Sequence, residues 1–174
     1  MITPAYVRLM ARYNTEMNRR WYAAAARLTD GQLREDRGAF WGSVLGTLNH
    51  ILWADRQWMS RFTDWPKPAL TQKQSPTLFD DFAALHAARM QADADIVVWA
   101  DGVTEDWLAE DLVWFSGSVQ KELRRNRAPL VIHMFNHQTH HRGQAHALLS
   151  AFGVDTGDTD LPFVLPRALL EERP

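Results

Sequence analysis

The most constraining stretch of this chain is GSVLGTLNHILWADRQWMSRF, residues 42–62. Ser43 can cap a helix running from Val44 to about Phe62. Leu45, Leu48, Leu52, Met59 and Phe62 form one apolar stripe at helical spacing, while Gly46, His50, Trp53 and Ala54 lie on a different face. A helix that is apolar on two faces packs against neighbours on both. The rest of the chain must therefore supply elements that enclose it.

Three other segments can do so. Thr3-Pro4 is a start signal, and Leu9, Tyr13, Met17, Trp21 and Leu28 recur at helical spacing over residues 4–28. LTDGQLRED reads as a turn with a short helical segment. TDWPKPALTQKQSPT carries three prolines in fifteen residues and reads as an exposed crossover loop. Thr77 with Asp80 resembles a capping box, opening a third helix to about Ala100 with Phe79, Phe82, Leu85, Ile96 and Trp99 inward. Asp101-Gly102 ends it. Residues 103–128 are the least helical part, and DLVWFSGSV suggests a short hairpin around a Gly-Ser turn. Asn126 and Pro129 then open a fourth long helix that ends at Phe152, with Gly153 as its C-terminal cap. The tail reads as irregular, folding back through Leu161, Phe163 and Leu165.

No repeat, low-complexity tract or domain-scale linker interrupts the 174 residues, so the expectation is a single all-α domain over 1–174. Four long helices joined by loops of mixed length point to a four-helix bundle, with a short irregular or hairpin insertion between helices 3 and 4. The formal net charge of −2 gives no reason to expect nucleic-acid binding. No run approaches the roughly 20 apolar residues of a membrane span, and Arg8 and Arg12 interrupt the N-terminus early, unlike a signal peptide. The absence of cysteine excludes thiolate metal ligands and a thiol nucleophile from the chain itself, and fits a cytoplasmic protein.

HMFNHQTHHRGQ, residues 133–144, places four of the seven histidines within nine positions. On a helix, residues four apart share a face, so His133/His137 and His137/His141 can each converge on one ion, as can His137/His140. His133 and His141 are about 12 Å apart along such a helix and cannot share one ion. Leu130, Met134, His137, His141, Ala145, Leu148 and Phe152 fall in steps of three and four, which puts His137 and His141 amid a buried stripe. His133 lies at its edge and His140 towards solvent. Burying two imidazoles requires partners for both: either a shared cation or hydrogen bonds from neighbouring helices. His50 is the best candidate for a third ligand, with His86 a weaker one.

GSVLGTLNHILWADRQWMSRF (42–62), LFDDFAALHAAR (78–89) and HMFNHQTHHRGQAHALLSAFG (133–153) resemble the DinB/YfiT-like family of metalloenzymes, as do YNTEMN (13–18) and TDLP (159–162). The resemblance implies a bundle of up-down-down-up topology that forms homodimers. It also implies a divalent metal, most often zinc or nickel, on His50, His137 and His141. Imidazole alone does not select among such metals.

Three protein ligands leave at least one coordination position open, as in catalytic zinc sites. There an ion can acidify water or keep a low-molecular-weight thiol cofactor deprotonated. Relatives include thiol-dependent transferases and isomerases, and others described as hydrolases. A ligating histidine usually donates its other N–H to a carboxylate or carbonyl. Asp55 can orient a ligand, pair with Arg142 or form a solvated salt bridge. Gln144, His133, Asn14 and Asn18 are further polar candidates around the site. The eight tryptophans read mainly as core filler, with Trp53, Trp114 and Phe115 as candidate pocket-lining residues. No obligatory carboxylate base and no Ser-His-Asp arrangement stands out. Three readings follow: a metal-dependent hydrolase or small-thiol-dependent transferase acting on an unidentified small molecule, a non-catalytic metal-binding sensor, or a helical interaction module with core histidines.

Overall fold

Each long helix begins at a short polar side chain in extended conformation that accepts a hydrogen bond from an otherwise unpaired backbone N–H. In the computed structural model, which describes residues 1–117 and 119–170, Thr3 caps α1 (Pro4–Ala25) and Ser43 caps α3 (Val44–Phe62). Asp81 caps α4 (Phe82–Asp101) and Asn126 caps α6 (Arg127–Ala151). α1 packs on α4 and α6, and α3 packs on α6 and α4. The chain is mostly helical. No helix among the described residues is long and apolar enough to cross a membrane.

The short elements fill the connections. α2 (Asp30–Arg34) carries a capping box between Thr29 and Gln32, and this cap ends the first helix at Ala25, three residues before the expected Leu28. The proline-rich crossover is not simply exposed: it holds a 3-10 helix, Gln72–Thr77, in which Ser75 is fully buried. Thr77 does not cap the next helix. Its hydroxyl donates to Gln74 O, and α4 starts five residues later at Phe82, leaving Phe79 outside it. α5 (Glu105–Ala109), unforeseen in the sequence, precedes the expected hairpin. β1 (Asp111–Ser116) and β2 (Lys121–Asn126) pair antiparallel, Asp111 opposite Asn126. Of the expected Gly-Ser turn, Ser118 lies outside the described residues. The tail forms α7 (Leu161–Val164) and α8 (Arg167–Leu170). Leu165 is buried and Leu161 packs on the core, but Phe163 is 77% exposed.

Two apolar clusters fill the interior. One contains Met17, Trp21, Leu48, Leu52, Leu85 and Leu149. The other contains Val7, Met59, Ile96, Val131, Met134 and Phe135. Between them lies a polar layer of Asn14, Asn18, Asp55, Arg89, Asp93, Gln138 and Arg142, all buried. The layer widens the expected stripe of α6, of which Met134, His141, Ala145 and Leu148 are buried. The buried face also takes in Val131, Phe135, Gln138, Arg142 and Leu149, and His137 is half-buried at its margin facing α3.

Candidate metal centre

His50 projects from the middle of α3, and His137 and His141 from successive turns of α6, the helix packed against it. Ring centroids are 5.1 Å apart for His50–His137, 4.5 Å for His50–His141 and 4.4 Å for His137–His141. One ligand atom from each of the three lies within 4.8 Å of the others, so the group could hold a metal ion. The Nε2 atoms of His50 and His137 are 3.2 Å apart. Two imidazole nitrogens on one tetrahedral zinc sit about 3.3 Å from each other, given Zn–N bonds of about 2.0–2.1 Å.

Hydrogen bonding fixes which nitrogen is available on two of the rings. Ser75 Oγ donates its proton to Gln72 O, so at 2.7 Å it can only accept from His50 Nδ1–H. That leaves the lone pair of His50 on Nε2, facing His137. The Gln144 side-chain oxygen likewise accepts from His141 Nδ1–H at 2.8 Å, while its amide nitrogen donates to His140 Nε2. His137 differs, since its Nδ1 is buried with no partner.

Burial, then the neighbouring His141 rings' charge, pushes His50 and His137 down to about 3. Burial also lowers His141, with the Gln144 hydrogen bond opposing it. All three rings are therefore neutral near pH 7, the form that binds metal.

Aromatic rings enclose His50. Trp41 stacks on it at 3.9 Å and Trp53 at 5.9 Å. The Trp53 indole is held by Leu70 O at 2.8 Å. Trp41 reaches the ring because the loop before α3 doubles back, with Gly42 at φ +75° and Arg37 N donating to Gly42 O. Gly46 permits that approach: a Cβ there would stand 2.4 Å from Trp41 O. Phe40 edges onto Trp41 and lies 6.4 Å from the His141 ring. Beside the triad runs an open groove of about 830 Å3, lined by Glu35, Arg37, Phe40, Gln144, Leu148 and Ala151.

The other sequence candidates scatter. His133 is exposed, packs on Trp58, and stands 6.0 Å from His137. His86 stacks on Tyr22 at 5.2 Å in another part of the interior. Asp55 neither orients a ligand nor pairs with Arg142, because Arg89 of α4 reaches it first and forms a buried ion pair. Arg142 bonds Gln138 and Thr139. Asn18 donates to Asp93, and Asn14 is buried with neither amide atom partnered. Trp114 packs on Trp58 at 6.2 Å, and Phe115 on the same hairpin is 62% exposed. Of the expected polar neighbours, Gln144 hydrogen-bonds a ring of the triad.

Sequence reasoning missed Ser75 and Trp41. A local signal for the first exists: Thr71 and Gln74 form a capping box in TQKQSPT, which marks an ordered turn inside the proline-rich loop. Trp41 lies between Gly38 and Gly42, both at positive φ, a pattern of a tight loop but not of its target.

No curated protein matches the chain. The sequence profile of the DinB family matches residues 1–173, essentially its whole length. The chain belongs to the DinB family.

Proposed function

We propose that this protein is a metal-dependent enzyme, a hydrolase or a transferase using a low-molecular-weight thiol, with zinc or nickel held by His50, His137 and His141. The observation that carries the proposal is the convergence of three neutral imidazoles within 4.8 Å, two of them pinned at Nδ1 so that Nε2 is the available donor. The scaffold in this reading is one domain over 1–174, a four-helix bundle of up-down-down-up topology. Homodimerisation is carried over from the family resemblance, and a cytoplasmic location from the absence of cysteine.

A bound divalent ion with an open position would lower the pKa of water towards about 7 or hold a thiol as thiolate. The chain's own residues prepare that site. Ser75 and Gln144 hold the His50 and His141 rings in one tautomer and orientation. Trp41 and Trp53 shield His50 from water. Among the described residues no aspartate or glutamate hydrogen-bonds any of the three rings. Gln138 follows His137 at the place where a peptidase of the H-E-x-x-H kind carries its glutamate base, which argues against that chemistry. The groove of about 830 Å3 beside Gln144 is the natural place for the body of a small substrate.

The test is elemental analysis of protein purified without a metal column, followed by screening with esters, amides and thiol adducts. About one zinc or nickel per chain is expected, falling to near zero in His137→Ala together with any turnover. Metal binding without turnover of any substrate would turn the reading to a sensor. A wild-type chain that takes up no zinc or nickel would end it.

A further inference from the structure

α6 carries a second polar face that the metal proposal does not use. Arg142 follows His141, so its side chain leaves the helix about 100° further round the axis, on the side of α1. The Trp21 indole N–H donates to Arg142 O, and the guanidinium lies 5.6 Å from the Tyr13 ring. The side chain is buried, with the residue 4% exposed. Its two hydrogen bonds go to neutral oxygens, Gln138 Oε1 at 3.0 Å and Thr139 Oγ1 at 3.3 Å. A guanidinium has five N–H donors, so three are without a partner among the described residues.

The contrast with Arg89 is direct. Arg89 meets Asp55 and Asp93, whereas those carboxylates act on Arg142 only at longer range. A cation this buried, with no anion in contact, calls for one.

A cavity of about 290 Å3 adjoins it, walled by Tyr13, Met17 and Trp21 from α1 and by Thr139, Gly143 and His146 from α6. The segment after α6 closes one side: Tyr13 Oη donates to Thr159 O at 2.6 Å, and Thr156 Oγ1 lies 2.9 Å from His146 Nδ1. Thr139 already donates to Phe135 O, so the guanidinium supplies the donors. Its planar fork matches a carboxylate, and one cation among apolar and aromatic walls suits a single negative charge. We propose that this cavity binds a small organic monocarboxylate, with its carboxylate on Arg142 and a flat apolar body against Tyr13 and Trp21.

Gly143 provides a plug. It lines the cavity, and a Cβ there would meet nothing within 4 Å. The experiment titrates zinc-loaded protein with benzoate and with neutral benzamide, following the Trp21 indole N–H by 1H–15N NMR. Benzoate is expected to shift that signal saturably, and benzamide to bind at least about tenfold more weakly. Gly143→Leu should abolish the benzoate shift while leaving zinc content and melting temperature intact. Arg142→Lys, which keeps charge but loses the fork, should weaken benzoate about tenfold. Equal affinity for the two probes, no saturable effect at Trp21, or an unchanged response in Gly143→Leu would each overturn the site. Benzoate bound instead at the metal would persist in Gly143→Leu and perturb the His50, His137 and His141 ring signals. That result removes this cavity but not the metal, whereas zinc loss in His137→Ala should leave benzoate at Trp21 untouched.

Discussion

α3 contributes to two buried polar clusters five residues apart, and they are built on opposite principles. Around Asp55, charges close on one another: Arg89 meets Asp55 and, at 2.7 Å, Asp93, and Asn18 Nδ2 donates to Asp93 at 2.9 Å. Around His50, the outer ring nitrogens of His50 and His141 are tied down while the inner ones face each other. The first cluster pairs its charges within the fold, with Asp55 Oδ1 and Arg89 Nε still lacking hydrogen-bond partners, and the second presents acceptors that could hold an added ion. Burial of polar groups is common to both. What separates a structural network from a binding site here is convergent acceptors that the fold orients but does not pair.

The largest effect should come from breaking the closed cluster. Arg89→Met leaves Asp55 and Asp93 buried without their cation, which costs about 3–5 kcal/mol, read as a lower urea midpoint at pH 7. His137→Ala removes a ring whose Nδ1 has no partner and should cost the metal-free protein about 1 kcal/mol or less. If the two losses were alike, the histidines would be as structural as the ion pairs.

Ser75→Ala sharpens the other side. It frees His50 Nδ1 and with it the ring's tautomer, and zinc affinity should fall about 10- to 100-fold, measured by competition with a chelating dye. Metal-free stability should change far less than in Arg89→Met.

The two clusters also respond oppositely to acid. His50 and His137 are held down to about 3, so the folded chain refuses protons that the unfolded chain takes up below about pH 6.5. Their contribution is intact above pH 6.5 and is lost as pH falls towards 3. Asp55, pushed up to about 6 by burial against the pull of Arg89, takes a proton in the folded state first and adds stability as pH falls from 6 to 4. Burial raises Asp93 as well, but it also lowers His141 and His133, so four histidines outweigh two aspartates and the urea midpoint of metal-free protein should drop between pH 7 and pH 5. In His137→Ala the histidine part of that drop should shrink by less than half, because His50, His141 and His133 still resist protonation.

Much of this was legible from sequence because it is local. Ser43 and Phe62 bound α3 as their chemistry requires, and the i, i+4 spacing of His137 and His141 puts both rings beside His50 in the folded chain. The partners of the closed cluster were not legible. From the sequence Asp55 can orient a ligand, pair with Arg142 or form a solvated salt bridge, and nothing there singles out Arg89. Leu85 and Ile96 mark the buried side of α4, yet Met90 and Val98 on it are exposed, at 61% and 73%, and nothing apolar marks Arg89 and Asp93 as buried. Ser75 and Trp41 reach His50 from loops, where no periodicity reports direction.

Asn14 is the test with the smallest expected effect, and it asks which kind of cluster the amide belongs to. It sits in the polar layer near Asn18, 2% exposed, with neither Nδ2 nor Oδ1 bonded. A buried amide without partners carries its desolvation cost with nothing in return. Leucine keeps the branched shape, extends the neighbouring apolar packing and suits a helix interior better. Asn14→Leu should therefore be neutral or stabilising by up to about 1 kcal/mol, with zinc affinity unchanged. A loss of more than about 1 kcal/mol would mean that the amide is engaged after all, through buried water bridging it to Gln138 Nε2, the other unpartnered amide atom in the layer. The closed cluster would then extend across to α6.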